Sequence, residues 1–216
     1  MKTSGLTFLS AIAAVAILSV NASAQLMLDT FPTGNNGEQY VATLPTPDGQ
    51  TTVTNYEPLP NGSLLGEARE TIFDIGPNPY AQPSRLDVGN NILIVEAGLQ
   101  ISSVLTIGYG FGPEENTPLG LNLGAYSGLE LNFAASCSTF NLEAIMEVWP
   151  ASGGYHASNQ AETPKCSYAS NVTFPYTSFN YGGLTQAEAS DISYIVIELG
   201  SGYSQNYGIT SLEAYN

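Results

Sequence analysis

Positive charge is scarce in this sequence: four lysines and arginines stand against nineteen aspartates and glutamates in 216 residues, a formal net charge of −15. Gripping phosphates requires a basic stripe, so nucleic acid is excluded as a partner. An anionic membrane surface is disfavoured on the same ground. His156 is the sole histidine, and the two cysteines, Cys137 and Cys166, form no CxxC, so a zinc site of ordinary Cys/His composition cannot be assembled. Past Val20 no apolar run approaches the roughly 20 residues that a bilayer span requires. A helical repeat of apolar residues over three turns is missing as well.

What is present begins with an address. Lys2 precedes the apolar run LTFLSAIAAVAILSV at 6–20, and Ala22-Ser23-Ala24 supplies a small-residue cleavage site, so residues 1–24 read as a secretory signal peptide. Loss of Lys2 takes the mature chain from −15 to about −16. The expected location is secreted, extracellular or on the cell surface, with the periplasm as an alternative. In an exported chain two cysteines favour a Cys137–Cys166 disulfide. Closing a loop of about 29 residues, it would contribute roughly 3–4 kcal/mol on the chain-entropy model.

From Gln25 onward, short alternating segments are cut by Gly, Pro, Asn and Ser. Candidate strands cover 26–31, 38–44, 50–59, 66–75, 84–88, 91–98, 100–110, 128–136, 139–149, 170–176, 193–200 and 207–215. About a dozen strands in one domain-sized stretch predict an all-β, two-sheet antiparallel sandwich of jelly-roll type over residues 25–216. Leu129, Leu131 and Phe133 should point inward, as should Ile195, Ile197 and Leu199. The run DVGNN marks a hairpin turn.

The order LMLDTF, SLLGEARETIF, LTIGYG, LGLNLGAYSGLELNF, VTFPYTSF and DISYIVIELGSG resembles exported bacterial proteins with a galactose-binding-like or carbohydrate-binding-module jelly roll. That resemblance covers nearly the whole mature chain and implies an extracellular or surface polysaccharide as partner. It also implies one structural calcium ion where the first and last strands meet. Asp29 and Glu213, on those strands, are its candidate ligands, and backbone carbonyls would complete the oxygen shell.

The run EAIMEVW, residues 143–149, carries the sharpest chemical question. Strand alternation places Glu143, Ile145, Glu147 and Trp149 on one face, with Leu142, Ala144, Met146 and Val148 on the other. The spacing is similar to the E-x-D-x-E signature of laminarinase- and lichenase-type β-glucanases, in which resemblance Glu143 would be nucleophile and Glu147 general acid. Ile145 replaces the central aspartate. Retaining glycosidases bring their carboxylates to about 5–5.5 Å, whereas alpha carbons four residues apart on a strand lie about 13 Å apart. The glutamates therefore read as a solvated face or as sugar-hydroxyl acceptors beside Trp149.

Thirteen tyrosines accompany one tryptophan, many in glycine- or asparagine-rich turns: Tyr80, Tyr126, Tyr155, Tyr181, Tyr203 and Tyr207. A flat ring with a polar tip suits a sugar's apolar face and hydroxyls together. It also suits protein contacts. Ligand contact is expected at Trp149, which ends the strand 139–149, and at Tyr155 and His156 on the loop from Pro150 to Lys165, with Glu143 and Glu147 nearby. The sequence thus predicts a non-catalytic carbohydrate-binding protein. A self-associating surface or matrix protein and a β-glucanase-like hydrolase are the alternatives.

Overall fold

The computed structural model describes residues 25–32, 51–137, 142–163 and 168–216. The expected leader 1–24, the expected strand 38–44 and Cys166 lie outside them. Twelve strands are present among the described residues: β1 (Leu26–Asp29), β2 (Thr51–Pro58), β3 (Ala68–Ile75), β4 (Arg85–Gly89), β5 (Ile92–Glu96), β6 (Ser102–Tyr109), β7 (Gly128–Cys137), β8 (Leu142–Pro150), β9 (His156–Thr163), β10 (Tyr168–Pro175), β11 (Ile192–Tyr203) and β12 (Asn206–Tyr215). They form two six-stranded sheets with antiparallel pairing throughout. One runs β10-β7-β12-β5-β4, with β1 added against β12; the other runs β2-β3-β6-β11-β8-β9. The expected all-β sandwich is the architecture found. No helix among the described residues is long and apolar enough to cross a membrane.

Period-two alternation is what builds the two layers. Strand β3 alternates half-buried and buried positions without a break, and β8 buries Leu142, Ala144, Met146 and Val148 while Glu143, Ile145, Glu147 and Trp149 face out. Leu129, Leu131, Phe133, Ile195, Ile197 and Leu199 all lie in the shared core, as the sequence predicts. Each such side chain contributes about 1.5–3 kcal/mol by leaving water. Truncating Phe133 to alanine would cost about 3–5 kcal/mol through the cavity it leaves. Between β4 and β5 a two-residue turn holds Asn90 at φ 54° and Asn91 at φ 59°. Both central residues of such a hairpin turn need positive φ, which asparagine tolerates better than other side chains.

Two elements depart from the expectation. The segment read as a loop from Pro150 to Lys165 contains β9, an edge strand paired to β8 from Leu142↔Thr163 to Val148↔His156. Its inward positions are polar: His156 and Ser158 are buried, and Ser158 Oγ lies 2.6 Å from Ser178 Oγ. A single-turn helix α1, Gln186–Ala189, starts at Thr185, whose hydroxyl accepts from the Glu188 N–H while the Glu188 carboxylate accepts from the Thr185 N–H. That reciprocal pair satisfies two donors that the helix start would otherwise leave open.

Candidate functional site

Strand register sets out a row straight across the outer face of the β2–β9 sheet. Tyr56 pairs with Glu70, Glu70 with Gly108, Gly108 with Val196, Val196 with Glu147, and Glu147 with Ala157. Directly paired residues of adjacent antiparallel strands share a face, so this row is continuous. At one end of it the aromatic side chains collect. Tyr194 on β11 pairs with Trp149 on β8, their ring centroids 6.3 Å apart and nearly perpendicular at 85°. On the far side of Trp149 stands Tyr155, 5.5 Å away at 81°. On the far side of Tyr194 stands Phe111, 5.1 Å away at 33°.

Glycine lets this ridge lie close to the sheet. A Cβ on Gly108 would come within 2.9 Å of Phe111 Cδ2 and 3.2 Å of Glu70 Oε2. One on Gly110, held at φ 90°, would come within 2.7 Å of Tyr194 Cδ1. The run GYGFG is therefore a floor for aromatic rings. Trp149 stays 40% exposed on top of the ridge, and Tyr181, which meets His156, is 81% exposed. Edge-to-face aromatic pairs add about 0.5–1.5 kcal/mol each beyond area burial, so the ridge is preorganised although it faces water.

Carboxylates flank the rings. The Tyr155 hydroxyl donates to Glu147 Oε1 at 2.6 Å. That bond, with burial and the charges of Glu147 and Glu198, pushes the Tyr155 phenol up to about 12. The Tyr56 phenol is likewise raised, first by its hydrogen bond to Glu70. Farther along β8, Glu143 Oε1 accepts from Asn159 Nδ2 at 2.8 Å. Beside Phe111 a hollow of about 230 Å³ opens among Glu67, Glu114 and Glu115. Another, of about 360 Å³, lies toward Thr52, Asp74 and Ser103 and has no aromatic ring in its wall.

The predicted site residues sort into three groups. Trp149, Tyr155 and Glu147 are brought together on the outer face. Glu143 shares the face four residues away on β8 and is bound to its own partner, Asn159. His156 points the other way: it is buried, with Nδ1 3.2 Å from the Asn180 carbonyl and Nε2 3.3 Å from Glu188 Oε1. It anchors the 176–189 excursion under Tyr181, whose ring it meets edge-on. Tyr194, Phe111, Glu70 and Glu198 were not singled out from sequence. Outward alternation about Ile195 was a signal for Tyr194; its meeting with Trp149 depends on strand pairing.

Asp29 and Glu213, the expected calcium ligands, lie on opposite faces of their sheet. Met27 pairs with Glu213 on the outer side, but a register shift before Asp29 sets it opposite the core residue Leu212. The extra residue turns Asp29 to the inner face. There Arg69 Nη1 donates to its Oδ2 at 2.6 Å and the Tyr109 hydroxyl donates to the same oxygen at 2.7 Å. Glu213 lines a polar groove of about 480 Å³ with Glu130, Asn132, Asn171 and Ser211 on the outer face of the other sheet. Its Oε1 accepts from Ser211 at 2.7 Å and from Asn132 at 3.0 Å. No group of three or more His, Cys, Asp or Glu among the described residues is placed to hold a metal ion, and Asp29 with Glu213 does not fit one.

No protein-family model matches the chain. A search of curated proteins likewise gives no match. Among solved structures it is similar to a family 11 carbohydrate-binding module from Clostridium thermocellum in complex with a β-1,3-1,4-mixed-linked tetrasaccharide. There the TM-score is 0.42 at 12% identity, covering 88% of this chain and 94% of that one. It is also similar to TmCBM61 in complex with β-1,4-galactotriose, at TM-score 0.36 and 8% identity over 88% of this chain and 99% of that one. The agarase AgWH50C matches at TM-score 0.38 and 8% identity, over 60% of this chain and 23% of that one. At such identities no residue role is carried across.

Proposed function

We propose that this protein is an exported, non-catalytic glycan-binding domain, and that the outer face of the β2–β9 sheet is its binding surface. The observation that supports the reading is the Phe111–Tyr194–Trp149–Tyr155 ridge with Glu70, Glu147 and Glu198 beside it. Such rings offer flat apolar area to the C–H faces of sugar units, while the carboxylates and tyrosine hydroxyls take up sugar hydroxyls. Export rests on the character of residues 1–24.

Affinity electrophoresis in gels containing soluble polysaccharides tests this directly. The parent protein should be retarded by at least one glycan, and Trp149→Ala with Tyr194→Ala should abolish the retardation while the circular dichroism spectrum stays unchanged. A fully folded double variant that is still retarded would move the site elsewhere. Concentration-dependent oligomers without retardation in any gel would favour a self-associating matrix protein instead.

A further inference from the structure

Among the described residues the ridge is surrounded by acceptors and lacks cations, and this sets what it can hold. Glu70, Glu147 and Glu198 lie on the face, with Glu67, Glu114 and Glu115 around the hollow at its Phe111 end. The described arginines are both committed elsewhere. Arg69 lies between the sheets, fully buried, with Asp29 and Glu57. Arg85 lies on the opposite sheet with Asp87 and Glu96. Lys2 and Lys165 fall outside the described residues, and His156 is buried against Glu188.

An ionised carboxylate only accepts hydrogen bonds, and the hydroxyls of Tyr56 and Tyr155 already donate to Glu70 and Glu147. A partner must therefore bring donors. Hydroxyl groups do so; uronate carboxylates and sulfate esters bring further acceptors and further negative charge. Resting on the glycan-binding reading above, we infer that this face selects uncharged, hydroxyl-rich chains and rejects polysaccharides carrying carboxylate or sulfate groups. A unit charge about 8 Å away in water changes affinity about twofold. Three carboxylates around one ligand position thus disfavour an anionic group by about tenfold at low salt, and the penalty fades as the screening length falls from about 30 Å at 0.01 M to about 3 Å at 1 M.

The test uses matched chains. A panel of neutral soluble polysaccharides (mixed-linked β-glucan, β-1,3-glucan, galactan and agarose) is titrated by calorimetry, together with the carboxymethylated form of each. At about 0.01 M salt the neutral chain should bind about tenfold or more tightly than its carboxymethyl derivative, with the gap closing toward 1 M. Glu70→Gln with Glu198→Gln should shrink the ratio of the two affinities at low salt. Equal binding of the two forms at low salt would overturn the inference and leave the glycan-binding reading standing. Preference for the carboxymethyl form would overturn it too, and binding to no glycan of either charge would remove the reading beneath it.

Discussion

Replacing Asp29 by asparagine probes the buried charge cluster that joins the two sheets. Arg69 is fully buried and donates to Asp29 and to Glu57, with the Phe31 ring 4.9 Å from its guanidinium carbon. Asp29 also accepts from the Phe31 N–H at 2.7 Å, which holds Phe31 at φ 49°. Asparagine keeps the volume but removes the charge, and its amide turns a donor either toward Arg69 and Tyr109 together or toward the Phe31 N–H. Breaking a buried pair from one side costs about 3–5 kcal/mol; Arg69 keeps Glu57 as a counter-charge, but it and the Tyr109 hydroxyl lose the charged oxygen they share. In a domain of this size 1 kcal/mol moves the melting midpoint by about 2–4 °C, so Asp29→Asn should lower it by roughly 6–20 °C. Calorimetry and urea unfolding at neutral pH measure this, the latter through a lower midpoint at unchanged slope. The triple variant Asp29→Asn, Glu57→Gln, Arg69→Met removes every charge of the cluster and should lose less than Asp29→Asn alone. A single variant melting within about 2 °C of the parent, or a triple variant worse than the single, would refute the reasoning.

Three further outcomes can be checked. Burial raises the phenols of Tyr109, Tyr176 and Tyr207 above their ordinary value, so above about pH 10 the unfolded chain releases protons that the folded one keeps. Stability is complete below that pH and should fall by about 4 kcal/mol per pH unit above it, three tyrosines at about 1.4 each; phenolate absorbance rising in step with loss of circular dichroism would show it, and smooth ionisation of every tyrosine in a native spectrum would contradict it. Because Asp29 is bound to Arg69, melts in calcium and in chelator should coincide, and a calcium stabilisation that disappears in Asp29→Asn would reinstate Asp29 as a ligand. Thiol titration of the denatured, unreduced secreted protein should find no free thiol if Cys137 and Cys166 are joined; two thiols would refute the disulfide.

Apolar alternation made most of the sandwich readable from sequence: β7 and β11 bury their leucines, isoleucines and phenylalanines, and β3 and β8 do so apart from Ile72 and Ile145, which face out. Strand β9 escaped because its inward positions are His156 and Ser158, which satisfy their polar atoms against Asn180, Glu188 and Ser178, so the alternation is there without the hydrophobicity. The site was half visible. Alternation alone places Glu147 and Trp149 on one face, but Phe111 and Tyr194 reach them only through the β6–β11–β8 pairing, which no local pattern encodes. Asp29 was misplaced for a similar reason, since one extra residue in β1 reverses the facing of everything after it.

The pairing of β1 with β12 also has a mechanical side. Leu26 lies opposite Ala214, so the first and last strands run antiparallel with their outer ends next to each other. A force pulling those ends apart would load the ladder one rung at a time, as in a zipper, instead of shearing all rungs together. The four-residue β1 would offer little resistance to peeling. The first strong stop on that path is Asp29, locked to Arg69 on the opposite sheet, so tension applied at the ends would pass through that bond to the sheet that carries the aromatic ridge.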